Sequence, residues 1–201
     1  MPIDLKRQLL FIHIPKTGGS SVERALNLHP HQVSDPVEYL SGTGKHLQHL
    51  TYAQILKLKK DSELKICNKF CIIRNPVDRF GSEFRWRKKI NHPLTRDMDE
   101  LAFSMYLLDL KNKGELHKEC HFRFQSDYFY VADKPSSDIK VFRLEDGMNL
   151  VEDWINRTFE VSINVTHANS TKKAKVEFDD RVIEIVKDIY SEDADKLGYQ
   201  L

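Results

Sequence analysis

A lysine, a threonine, two glycines and two serines stand directly after a short apolar run in FIHIPKTGGSSV, residues 11–22. Backbone N–H groups at a glycine turn and at the start of a helix are preorganised donors for an anion. Gly18 and Gly19 permit close approach because they lack a Cβ. Thr17, Ser20 and Ser21 add hydroxyl donors, and Lys16 adds positive charge. A plain strand-to-helix turn with Ser20 as N-cap and a solvated lysine satisfies the same letters. The order is not that of the Walker A loop, G-x-x-x-x-G-K-[ST], in which lysine comes at the end. Here it comes first, which counts against a nucleotide kinase.

A second stretch, IIRNPVDRFGSEF (residues 72–84), offers Arg74 at the end of an apolar run and Ser82 eight positions later. An arginine fork and a hydroxyl two helical turns apart suit one phosphate. Arg79 between them reads as structural. Two histidines, His46 and His49 in GKHLQHLTYAQI, lie between the two stretches and titrate in the range a general base needs. His117, Cys120 and His121 in HKECH lack a fourth ligand, so the sequence assigns no metal and reads them as a partly exposed helix turn. The basic run RWRKK, residues 85–89, reads as a solvated helix end, with Trp86 packing or lining a pocket.

The elements that must position these groups follow from periodicity. QLLFIHI (8–14), KFCIIRN (69–75) and IKVFRL (139–144) read as buried strands. GSSVERALNL, TYAQILKLKK, PVDRFGSEFRWRKK, MDELAFSMYLLDLKNKG, EDGMNLVEDWINRTF and DDRVIEIVKDIYSEDADKLGY read as amphipathic helices, with Pro76 in a first turn and Gly114 as a C-cap. Residues 29–49 read as a long surface loop. Short strands alternating with helices predict an α/β fold of three layers (α/β/α) around a mostly parallel sheet. Ligands of such sheets sit outside the carboxyl ends of the strands, where Lys16 and Arg74 fall.

The chain has 201 residues, which predicts one domain over 1–201, and 40% of them are apolar. A net charge of +1 points to neither a nucleic-acid nor a membrane partner. Three cysteines (Cys67, Cys71 and Cys120) suit a reducing compartment. No run reaches signal-peptide or membrane-span length, so the three sequons at Asn156, Asn164 and Asn169 carry no expectation of glycosylation.

IPKTGGSSV and CIIRNPVDRFGSEFRW resemble, in order and spacing, the two cofactor motifs of the sulfotransferases that use 3′-phosphoadenosine 5′-phosphosulfate (PAPS), close to their carbohydrate-type branch. QHLTYAQI, FQSDYF, VFRLEDG and HANSTKK extend the resemblance more weakly along most of the chain. It implies the P-loop-like sulfotransferase fold. It assigns the 5′-phosphosulfate to Lys16, Thr17, Gly18, Gly19, Ser20 and Ser21, and the 3′-phosphate to Arg74 and Ser82, with Ser170 and Lys172 closing over the nucleotide. Lys16 then stabilises the leaving phosphate of the product, 3′-phosphoadenosine 5′-phosphate (PAP). His49, followed by Leu-Thr and a helix, matches the family's base, and His46 is the alternative. Gln125 and Tyr128 would line the acceptor pocket, and no metal is required. The chain departs from Golgi members in its small size and in lacking a membrane anchor. That implies a cytoplasmic enzyme of bacterial or viral type acting on a small phenolic or sugar-like hydroxyl. Two rival readings remain at this stage: a P-loop nucleotide kinase or other phosphotransferase, and a non-catalytic protein that binds PAP.

Overall fold

The computed structural model describes residues 3–4, 6–28, 47–58, 61–165 and 178–201. In chain order the strands are β1 (Ile3–Asp4), β2 (Leu9–Ile12), β3 (Asn68–Ile73), β4 (Tyr130–Val131), β5 (Lys134–Pro135) and β6 (Ile139–Arg143). The α-helices are α1 (Gly19–Ala25), α2 (Tyr52–Leu58), α3 (Asp61–Lys65), α4 (Pro76–Lys89), α5 (Glu100–Asn112), α6 (Met148–Phe159) and α7 (Asp180–Leu197). The chain divides into two compact units, one of residues 1–73 and 127–170, the other of residues 74–126 and 171–201.

The first unit is built on a sheet in the order β1-β2-β3-β6. β2, β3 and β6 run parallel, in a register that sets Ile12 opposite Cys71 and Cys71 opposite Val141, whereas β1 is antiparallel to β2. All four residues of β2 are buried, which is why its letters run apolar without alternation. Leu9, Phe11, Phe70 and Ile72 point to one face and pack with Val22 of α1, with Leu26 just past its end, and with Met148, Val151 and Ile155 of α6. Each such side chain, fully buried, stabilises the fold by about 1.5–3 kcal/mol relative to exposure. Because the three strands are parallel, the carboxyl ends of β2 and β3 lie at the same edge. The Lys16 loop leaves from the first, and Arg74 is the residue that follows the second. The expected α/β class with a mostly parallel sheet is the observed one. β1 and the β4–β5 hairpin, two residues per strand, are too short to leave a period in the sequence.

The second unit packs α4, α5 and α7 around Phe80, Phe84, Phe103, Leu107, Val182, Val186 and Ile189. Asn75 caps α4, its side chain accepting from the N–H groups of Val77 and Asp78, and Pro76 occupies the first turn, where no N–H is needed. Gly114 adopts φ +66° just past α5, the left-handed ending that glycine favours. HKECH is not a turn of α-helix. Leu116–Lys118 form a single 3-10 turn, and residues 119–122 continue as turns. TYAQILKLKK is helical over Tyr52–Leu58, and Lys59 and Lys60 lie outside the described residues.

Candidate functional site

The loop after β2 carries two left-handed residues, Lys16 at φ +69° and Gly18 at φ +86°. That conformation is ordinary for glycine and uncommon for lysine, and such strain concentrates at ligand-binding sites. A Cβ on Gly18 would also lie 3.2 Å from Leu144 Cδ1. The N-cap of α1 is Gly18, with no side-chain cap, so Ser20 does not cap the helix; it is exposed, and Ser21 is half-buried. Thr17 is fully buried and its hydroxyl donates to the carbonyl of Ile14 (2.9 Å). Its proton therefore braces the loop from inside instead of facing outward.

Gly19 has a different reason to be glycine. A Cβ there would sit 2.3 Å from the ring of His13, so the ring fills the space a side chain would need. His13 is buried at the exit of β2, stacked on Phe11, and its Nδ1 donates to Glu23 Oε1 on α1 at 2.8 Å. The other oxygen of Glu23 accepts from Gln48 Nε2 at 2.5 Å. The next residue, His49, closes the cluster. Its Nδ1 donates to the backbone carbonyl of His13 (2.9 Å), and the two imidazoles meet edge to face at 4.6 Å between centroids. A carbonyl only accepts, so Nδ1 of His49 carries the hydrogen and Nε2 is the basic nitrogen of the neutral ring. The histidine singled out as base thus shares one anchor, His13, with the glycine loop. His46, Ser170 and Lys172 lie outside the described residues.

In the second unit Arg74 is held by its backbone. Gln125 accepts from the Arg74 N–H with Oε1 (2.9 Å) and donates to the Arg74 carbonyl with Nε2 (2.8 Å). Gln125 is fully buried, and through these two bonds its side chain fixes the backbone of Arg74. Behind it, Asp193 of α7 accepts from the N–H groups of Gln125 and Ser126 at 2.9 and 2.8 Å. Arg79, as expected, is structural: it is buried and donates to the carbonyls of His121 and Arg123. Ser82 is half-buried on α4. Its neighbour Gly81 lies under the ring of Phe178, which a Cβ would approach to 2.7 Å. Tyr128, in the first unit, is fully buried and among the largest such side chains.

The HKECH residues have other duties. His121 donates from Nδ1 to Glu83 (2.8 Å) and stacks on Trp86. Arg87 binds the other oxygen of Glu83 and covers Phe122. Burial alone pushes the Glu83 carboxyl up, but His121 and Arg87 together outweigh it and hold it below its ordinary value. Cys120 is pushed up to about 12, by burial first and then by Glu119, which leaves it a poor thiolate. Among the described residues no three His, Cys, Asp or Glu side chains gather as a metal site.

The sequence reading missed Glu23, Gln48, Asp193 and the bonds that Gln125 makes to Arg74. Each acts through a partner far away in the chain. His13 had a local signal: an ionisable residue placed at a fully apolar strand exit requires a partner. Among the described residues no helix is long and apolar enough to cross a membrane. A model of the sulfotransferase family matches residues 2–200. Comparison with curated proteins and with solved structures gives no match.

Proposed function

The chain belongs to the sulfotransferase family, and we propose that it moves the sulfuryl group of PAPS to a hydroxyl of a small phenolic or sugar-like acceptor. The observation that carries this reading is the anchoring of His49. A base fixed on the carbonyl that lies three residues before Lys16 is what in-line transfer at the loop requires. In the reaction the acceptor oxygen attacks sulfur as the bond between sulfur and the bridging oxygen of the 5′-phosphate breaks. The acceptor proton goes to His49 Nε2, and PAP leaves. Charge grows on the bridging oxygen, and Lys16 with the N–H groups of the loop stabilises it. Arg74 and Ser82 hold the 3′-phosphate. The order of lysine and glycines in the loop disfavours the nucleotide kinase. A non-catalytic PAP-binding protein would have no use for a histidine held in one tautomer.

The decisive experiment supplies PAPS and follows PAP release across phenols, sugars, amines and glycans. Transfer to a phenol or sugar is expected. Tight PAP binding with no transfer to any acceptor would establish the non-catalytic reading instead. Arg74→Ala should weaken PAP at least tenfold more than adenosine 5′-phosphosulfate, since a charge-assisted hydrogen bond is worth about 1.5–3 kcal/mol and only PAP carries the 3′-phosphate. Equal losses in calorimetry would remove Arg74 from that role.

A further inference from the structure

Glu23 is almost completely enclosed, at 4% exposure, on the face of α1 next to the core residue Val22. A carboxylate is costly in such a place unless both its oxygens are used. Both are. Oε1 holds the ring of His13, and Oε2 holds the side-chain amide of Gln48. These two residues are also the two supports of His49: His13 supplies the carbonyl that accepts its Nδ1–H, and Gln48 is the residue immediately before it in the 3-10 turn Leu47–His49. On its far side the His13 ring is stopped by Gly19, so it cannot move away from the carboxylate without striking the loop.

We propose that Glu23 is a positioning residue for the transfer reaction, gripping both ends of the hydrogen bond that orients His49 and so keeping Nε2 as its basic nitrogen. Free imidazole in water prefers the hydrogen on Nε2, so the opposite tautomer must be imposed by the protein. Glu23 touches neither donor nor acceptor in this scheme. During transfer the acceptor proton adds to Nε2, and the Nδ1–H stays on the His13 carbonyl, which supports the imidazolium that forms. The glycine loop and the base are thereby registered to each other through one buried side chain, His13. The inference rests on His49 being the base of the proposed reaction.

The test reads the tautomer directly and needs no acceptor. Nitrogen-15 spectra of the full chain labelled at histidine, with His49→Ala to assign the signal, should show the Nδ1–H form of His49 favoured about tenfold, the scale of one hydrogen bond. Glu23→Gln leaves one acceptor oxygen where the carboxylate has two, so it cannot accept from both His13 Nδ1 and Gln48 Nε2, and Gln48→Met frees the turn while leaving His13 in place. Both should lower the ratio by about tenfold, with PAP affinity of Gln48→Met within about twofold of the parent by calorimetry. If Glu23→Gln does not fold, Gln48→Met decides alone. A parent protein with His49 in the Nε2–H form, or a folded variant set that keeps the parent ratio, overturns the proposal. Should His49→Ala retain full turnover, the base assignment fails on its own, whatever the tautomer result.

Discussion

At the scale of single residues, His13 organises more of the loop than any group facing outward. Three neighbours depend on its position: Gly19 by contact, Glu23 by a hydrogen bond and His49 by the backbone carbonyl. Gly19→Ala should therefore destabilise the protein by about 1–3 kcal/mol, as overpacking does. Combining it with His13→Ala should recover part of that loss, because the clash disappears with the ring. Urea unfolding of the two single variants and the double variant measures the coupling; strict additivity would mean that ring and glycine do not compete for space. His49→Ala should behave differently. It removes the contacts with His13 but no group assigned to the nucleotide, so PAP affinity should stay near the parent value while turnover falls about a hundredfold or more, the usual worth of a general base. A phenol, whose pKa is about 10, should suffer less than an aliphatic alcohol. Steady-state kinetics with one acceptor of each kind gives the comparison.

At the scale of elements, the exit of β3 is set by side chains that lie far away in the chain. α7 departs from helical dihedrals at Tyr190, whose hydroxyl donates to the Phe122 carbonyl, and three residues on Asp193 takes the N–H groups of Gln125 and Ser126. From α4, Arg79 takes the carbonyls on either side of Phe122. The segment from His121 to Ser126 thus has no regular ladder of its own, and three buried side chains replace one. Asp193→Ala would leave two buried N–H groups without acceptors, at about 1–3 kcal/mol each. It should lower stability by about 3 kcal/mol and loosen the Gln125 grip on Arg74, so PAP should lose affinity as well. Calorimetry with PAP separates the two effects, since a purely structural Asp193 would change the unfolding midpoint alone. α4 also carries a pH dependence. The Glu83 carboxyl is held below the ordinary value of 4.5, so its ion pairs stabilise the fold fully above that pH. The contribution is lost as pH falls through the lowered folded value. Glu83→Gln should flatten the acid limb of the stability curve and, by leaving Arg87 buried without its partner, cost about 3–5 kcal/mol at neutral pH.

At the scale of the whole molecule, what was legible in the sequence was whatever is encoded locally. β2 announced itself through LLFI because a parallel strand buried on both faces needs no alternation, and α4 through Asn75 and Pro76 because caps are read from neighbours. The Lys16 loop and the Arg74 exit were legible for the same reason. The burial of Gln125 and Tyr128 was not legible, because a polar or hydroxylated side chain in a turn looks alike whether it faces solvent or a backbone 51 residues away, as Gln125 does at Arg74. Glu23 passed for an ordinary helix charge because its partners lie 10 and 25 residues away. The family match spans residues 2–200 and so takes in both compact units. A near-neutral net charge, +1, supplies no general field for an anion, so the proposed nucleotide would depend on local groups. PAP should then bind at micromolar concentration, about −8 kcal/mol, with EDTA present. At a hundred times its dissociation constant it should add about 2.7 kcal/mol to the folded state. For a chain of this size that raises the melting temperature by roughly 5–10 °C. Adenosine 5′-phosphate at the same concentration should produce a much smaller shift, because it lacks the 3′-phosphate assigned to Arg74 and Ser82. Thermal melts with the two nucleotides settle the matter: equal shifts would remove the second phosphate site and leave only the loop after β2.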